Sequence, residues 1–230
     1  MNVIGLFAMS EKIDFNHLRF KAPFNLIVAG PSGCGKTSWV RKLLANHDVL
    51  TTIQPKLLSV VWCYGQFQAG YQQTIPGVNI KYREGLISDE ELNSSKPDIV
   101  VIDDLQTEMA NNKELANFFL KKGHHLGISF IFILQNIFAQ GSQMRNIALN
   151  GHYHCVFENK RDVEQLDRFI RQVCPKNKQF SEEMLKDVFR EQYGYLLVDC
   201  HPTTPAILKF RTNIFPNENG IPMPTIYSPK

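Results

Sequence analysis

Two short stretches of this chain carry the residue types that handle a nucleoside triphosphate. The first is Gly30-Pro31-Ser32-Gly33-Cys34-Gly35-Lys36-Thr37-Ser38, which fits G-x-x-x-x-G-K-[ST] and directly follows the apolar run Phe24 to Ala29. Its glycines let successive backbone N–H groups turn inward around a phosphate, and a helix starting behind them adds its positive N-terminal end. Lys36 is then expected to reach the β- and γ-phosphates, with the Thr37 hydroxyl on Mg2+. The competing reading is an ordinary glycine-rich turn. The apolar run before the loop and the helical spacing of Val40, Leu43 and Leu44 behind it argue against that. The second stretch is Ile99-Val-Val-Ile-Asp103-Asp104. Hydrolysis needs one carboxylate to hold the Mg2+ shell and often another to position or deprotonate the attacking water. Asp103 takes the first role here and Asp104 the second, against the plainer reading of a turn-forming Asp pair.

Three weaker signals accompany these. Ile128 to Leu134 is apolar and ends in Gln135-Asn136, and an amide at such a strand tip can touch the γ-phosphate or the water. Arg145 is a candidate for spreading charge over the phosphoryl oxygens, in trans from a neighbouring subunit, Arg161 competes for the role, and for either one the alternative is a plain surface salt bridge. His124-His125 and His152-x-His154-Cys155 suggest zinc, but no C-x-x-C or carboxylate cluster completes a site, so buried or phosphate-facing histidine is the better reading.

These groups need elements to hold them. The pattern predicts strands at about 24–29, 57–64, 79–83, 97–103, 128–134 and 153–158. It predicts helices at about 36–47, 113–122 (closed by Gly123), 162–173 and 181–191. Gly194 to Cys200, a Pro-Thr-Thr-Pro turn, and Ala206 to Phe210 read as a C-terminal β-hairpin. Alternating strands and helices imply an α/β fold with a mostly parallel, helix-covered sheet whose ligand binds at the carboxyl ends of the strands. Residues 1–21 read as a loose lead-in, 22–216 as one domain and 217–230 as a flexible Pro-rich tail.

Composition narrows the class. With 43% apolar and 20% charged residues, 230 residues suffice for one α/β domain and exclude a disordered chain. No stretch is long and apolar enough to cross a bilayer, no secretory signal is visible, and no membrane partner is expected. Five scattered cysteines without a C-x-x-C pair fit a reducing compartment, with Cys34 a small filler in the loop. Between Lys121 and Lys178, nine Lys/Arg stand against four acids, a surface that can attract nucleic-acid phosphates or simply be solvated.

The block Lys122-Gly-His-His-Leu-Gly-Ile-Ser-Phe-Ile-Phe-Ile-Leu-Gln-Asn136 continues through Arg145-Asn-Ile-Ala-Leu-Asn-Gly-His-Tyr153 to Phe157-Glu-Asn-Lys-Arg-Asp162. With Arg171-Gln-Val-Cys-Pro175, Asp199-Cys-His-Pro-Thr-Thr-Pro205 and Arg211-Thr-Asn-Ile-Phe215, it resembles the genome-packaging ATPases of the FtsK–HerA superfamily over about residues 22–216. The likeness is greatest to the poxvirus-type branch of large DNA viruses, virophages and Maverick/Polinton or adintovirus-like elements. The resemblance implies a RecA-like P-loop NTPase core, a homo-oligomeric ring and ATP-driven, Mg2+-dependent movement of double-stranded DNA into a viral capsid. It implies capsid proteins as partners and sites of virion assembly, in host cytoplasm or nucleus, as the location. It carries over to Gly30–Thr37, Asp103, Asp104 and Gln135, and to Asn136 and Arg145 less directly. Unlike many packaging motors, the chain has no room for a separate nuclease or anchoring domain. A small-molecule kinase would also use a phosphate loop but usually adds an Arg-rich lid, of which there is no compact cluster. A nucleotide-gated switch has little need of the second acidic group.

Overall fold

Continuous apolar runs become strands of one ten-stranded sheet in the computed structural model, which describes residues 2–4, 14–110, 123, 125–138 and 142–229 (backbone alone at 2–4, 142 and 143). In chain order the strands are β1 (Asn2–Ile4), β2 (Asn25–Ala29), β3 (Leu58–Tyr64), β4 (Val78–Glu84) and β5 (Ile99–Asp103). Then come β6 (Ser129–Leu134), β7 (Tyr153–Phe157), β8 (Tyr195–Asp199), β9 (Phe210–Thr212) and β10 (Thr225–Ser228). The helices are α1 (Lys36–Ala45), α2 (His47–Leu50), α3 (Asp89–Ser95), α4 (Gln106–Ala110), α5 (Ser142–Leu149), α6 (Val163–Val173) and α7 (Lys178–Val188). Across the sheet the order is β1-β10-β9-β8-β7-β2-β6-β5-β3-β4. The six strands from β7 to β4 run parallel, and β8, β9, β10 and β1 extend the sheet antiparallel.

The central strands β5, β6, β7 and β8 are buried along their whole length because both faces are covered, whereas edge strand β4 has polar residues and no buried one. Ile27, Val100, Phe130 and Phe132 pack against Leu166, Phe169, Phe180 and Met184 of α6 and α7. Leu26, Val28, Val101 and Ile131 face Trp39, Val40, Leu43 and Leu44 of α1 on the other side. Burying α1 in this way points its N-terminal end, and the phosphate loop before it, along the carboxyl edge of β2.

Several boundaries differ from the sequence reading. Ala206–Leu208 is a 3-10 turn, held by bonds from Leu208 N to Pro205 O and Lys209 N to Ala206 O, so the return strand of the hairpin starts only at Phe210. The segment read as a tail contributes β10, with Ile226 and Tyr227 buried, and β1 from the lead-in pairs with it. Domain limits of 22 and 216 therefore cut two strands off the sheet. Gly123 is helical rather than a cap. The left-handed glycine is Gly127 (φ 72°), and Ile128 N returns to Gly123 O at 2.9 Å. The helix expected at 113–122, Lys121 and His124 lie outside the described residues.

Two buried polar devices hold the sheet, one in each half. Arg211 on β9 is ion-paired with Asp199 on β8 and donates from Nη1 to the Leu18 carbonyl at 2.8 Å. Removing one partner would leave a buried charge uncompensated, at about 3–5 kcal/mol. His154 on β7 donates from Nε2 to the Ala148 carbonyl at 2.9 Å, and burial pulls its imidazole down to about 4. An unfolded histidine takes up its proton near pH 6.5, whereas the folded one stays neutral until about pH 4. Stability from this residue is thus complete above pH 6.5 and declines as pH falls to 4, by about 3 kcal/mol. Denaturant unfolding across that interval should show a flatter acid slope for His154→Gln than for the parent chain, and equal slopes would contradict the assignment.

Candidate nucleotide site

The central strand order settles where the chemistry collects. β2 carries the phosphate loop at its carboxyl end, β6 lies beside it, and β5 with its acidic end lies beyond β6. Leu134 O of β6 accepts from Gly30 N at 3.2 Å, and Ile133 O accepts from Asp104 N at 3.4 Å. Both signature segments are thus tied to the same strand tip. A cavity of about 300 Å3 opens above it, lined by Ser32, Gly33, Gly35, Lys36, Thr37 and Ser38 from the loop and by Asp103, Asp104 and Gln135 opposite.

Loop geometry fits a phosphate. Gly35 precedes α1 with φ 98°, a left-handed conformation that glycine adopts without a Cβ penalty, and it turns the backbone into the helix. Gly30 is needed for a different reason: a Cβ there would come within 2.7 Å of Phe157 Cβ and 2.8 Å of Cys34 Sγ. Lys36 Nζ donates to the Gly30 and Pro31 carbonyls at 2.7 and 2.8 Å, folded back over its own loop. Burial lowers its proton affinity, while Asp103 and Asp104 across the cavity act to hold the charge. Burial likewise raises the Cys34 thiol, in keeping with its reading as filler.

The acidic residues divide as their positions dictate. Asp103 ends β5 and is buried; burial raises its carboxyl above the usual carboxylate range, against a hydrogen bond from Tyr71 Oη at 2.8 Å to Oδ2. Tyr71 thus fixes the direction of a carboxylate that lines the cavity. Asp104 stands exposed in a left-handed turn (φ 57°) and accepts from Gln135 Nε2 at 3.0 Å on Oδ1. The turn is allowed to pass close by because residue 65 is glycine: a Cβ there would meet Asp104 O at 2.9 Å. Thr37 and Asp103 together supply the oxygen donors that suit Mg2+, on opposite walls of one cavity.

The other candidates stand apart. Asn136 is exposed and borders a small neighbouring groove with Asn159 and Asp162. Arg145 is exposed on α5, Arg161 is exposed between β7 and α6, and neither lines the cavity. Among the described residues no group of three His, Cys, Asp or Glu could hold a metal, and His154 is committed to Ala148. No helix among them is long and apolar enough to cross a membrane. Sequence reasoning missed Tyr71 and Gln68, which reach the site from the loop after β3. Only two aromatic residues, Phe67 and Tyr71, among the glutamines and glycines of 65–77 marked that loop.

No family model matches the chain. It is 24% identical over 218 residues to packaging protein 1 of canine adenovirus serotype 1 (strain CLL), covering 74% of this chain and 48% of that protein. Packaging protein 1 of canine adenovirus serotype 2 (strain Toronto A 26-61) matches with the same identity and coverage. The chain spans about half the length of these curated relatives. The fold is similar to that of B204, the DNA-packaging ATPase from Sulfolobus turreted icosahedral virus, with a TM-score of 0.53 at 11% identity over 91% of this chain and 98% of that one. A second likeness is to the genome packaging NTPase B204 from Sulfolobus turreted icosahedral virus 2 in complex with ATP-gammaS, with a TM-score of 0.50 at 11% identity over 90% of this chain and 98% of that one.

Proposed function

We propose that this chain, similar in sequence and in fold to viral genome-packaging proteins, is an ATP-hydrolysing motor that moves double-stranded DNA into a capsid. The observation that carries this reading is the Gln135–Asp104 hydrogen bond at 3.0 Å, facing Lys36 and Thr37 across one cavity. It joins a strand-tip amide to the carboxylate that, on this reading, faces the γ-phosphate. That is what a hydrolase needs, and a binding switch can do without it.

In this mechanism the loop N–H groups and the end of α1 grip the phosphates, and Lys36 exchanges its own-loop carbonyls for phosphate oxygens. Thr37 and Asp103 would hold Mg2+, which neutralises charge on the phosphate oxygens when bound. Asp104 orients the attacking water and takes its proton, and Gln135 fixes the carboxylate's direction. Energy from turnover then drives relative movement of subunits in a homo-oligomeric ring of the FtsK–HerA type, in the poxvirus-like branch, with capsid proteins as partners at sites of virion assembly.

Exposed Arg145 suits a role across the subunit boundary because nothing in its own site uses it. Arg145→Ala should bind ATP normally yet hydrolyse it slowly, and mixing it with Lys36→Ala should restore part of the activity. Lack of rescue in verified mixed rings would move the role to Arg161.

A packaging motor must pass any sequence, so its DNA contacts should go to phosphates. Lys160, Arg161, Arg168, Arg171, Lys176 and Lys178 are all exposed and supply candidates. Log affinity for duplex DNA should fall with log salt at roughly −0.9 per phosphate neutralised. Lys178→Ala should flatten that slope by about one unit without changing sequence preference.

The overall test is ATP turnover with and without linear duplex DNA, alongside the mass in solution. Stimulation by DNA of any sequence is expected. Turnover indifferent to DNA in an assembled ring would refute the motor reading.

A further inference from the structure

A second cavity, of about 640 Å3, opens on the other side of the phosphate loop and shares Gly33, Gly35 and Ser38 with the first. Its remaining walls are different in kind: Trp39 and Lys42 from α1, Tyr193 from the turn before β8, and Asn213 and Phe215 after β9. We infer that this cavity takes the purine base and ribose of the bound nucleotide, with Tyr193 as its stacking platform. The inference rests on the phosphate-loop reading above and extends it to the half of the ligand that the loop does not touch.

Continuity argues first. Asp103, Asp104 and Gln135 line the first cavity opposite the loop, so phosphates held at Gly33 to Ser38 would put the nucleoside on the loop's other side. The second cavity begins where the loop residues end, and its volume falls inside the roughly 300–1,000 Å3 range of small-molecule sites.

Tyr193 argues next. The residue is 62% exposed, and its backbone is left-handed at φ 61°, a conformation that disfavours a bulky side chain. Folding alone would favour glycine there, as it does at the next residue, where a Cβ on Gly194 would come within 2.1 Å of Val188 O. The ring also leans over the phosphate loop: a Cβ built on Gly35 would lie 3.5 Å from Tyr193 Cδ1. A strained backbone thus presents an exposed aromatic face beside the phosphates, where a base would stack.

The other walls are already fixed in place. Phe215 packs against Trp39 at 5.5 Å and Tyr195 at 6.1 Å between ring centres, and Lys42 Nζ sits 4.6 Å from its ring centre. Asn213, also left-handed at φ 54° and exposed, is the amide available to a base edge. Among the described residues no Asp or Glu lines the cavity, and Asn213, with both a donor and an acceptor, does not select one purine over the other. The grip should therefore come from stacking, favouring purines over pyrimidines.

Calorimetric titration of the full chain with ATP and with inorganic tripolyphosphate separates the two halves of the ligand. Tyr193→Ala should weaken ATP roughly tenfold, as loss of one stacked base does, and leave tripolyphosphate unchanged. Tyr193→Phe should keep ATP affinity. Tyr193→Gly should raise the melting temperature while losing ATP as the alanine variant does, an outcome a merely structural tyrosine would not give. Unchanged ATP affinity in Tyr193→Ala, or equal weakening of both ligands, would overturn the base site. Failure of the parent chain to bind tripolyphosphate would instead overturn the phosphate-loop reading itself.

Discussion

Replacing Lys36 with alanine is expected to weaken ATP binding roughly 30- to 150-fold and to abolish turnover, with the fold intact. The ammonium now donates to the Gly30 and Pro31 carbonyls, at the mouth of the loop where the β- and γ-phosphates would lie. A hydrogen bond to a charged group contributes about 1.5–3 kcal/mol, so loss of the charged donor should cost about 2–3 kcal/mol of binding. The fold should survive because Lys36 is only partly buried and its partners belong to the same loop. Nucleotide titration together with circular dichroism checks both halves. ATP affinity equal to the parent's would remove Lys36 from the phosphate site.

Asp104→Asn is the second large effect, and it separates chemistry from binding. Asparagine keeps an oxygen at the position that accepts from Gln135 Nε2, so the local geometry should persist while the carboxylate's capacity to take a proton is lost. A positioned acid–base group contributes roughly 10²–10⁴ in rate, so turnover should fall by that factor with ATP affinity within about twofold of the parent. Single-turnover hydrolysis measures the first and equilibrium titration the second. Equal turnover by the two proteins would reassign the water to another group. Gln135→Ala should show a smaller loss of the same kind, because it disturbs Asp104 without removing it.

Much of the parallel half of the fold was legible because its strands are buried on both faces. Ile99–Asp103 and Ser129–Leu134 are apolar without interruption, and their ends fall within two residues of the sequence reading. That the phosphate loop, Asp103, Asp104 and Gln135 meet at one cavity was legible for a related reason. Each sits at the carboxyl end of such a strand, where a sharp change from apolar to polar residues marks the site.

What stayed hidden depends on contacts remote in sequence. Thr225–Ser228 looks like part of a proline-rich tail, yet Arg211 and Phe210 offer it an open edge, and Ile226 and Tyr227 gain burial by pairing there. Tyr71 reaches Asp103 from a loop without periodicity, so no spacing rule could join residues 32 apart in sequence. The base cavity is assembled from the start of α1 and from the two turns that carry Tyr193 and Asn213, and it exists only once β8 and β9 are in the sheet. Gly123 is required by packing rather than by a left-handed turn, since a Cβ there would come within 2.3 Å of the Phe130 ring.

Movement along DNA is the central claim, and displacement of a triplex-forming oligonucleotide from linear duplex DNA measures it most directly. The assembled parent chain should release the third strand only when ATP is present and whatever the flanking sequence, while Asp104→Asn rings bind the same DNA and release nothing. An assembled parent chain that hydrolyses ATP on duplex DNA and leaves the triplex in place would contradict the motor.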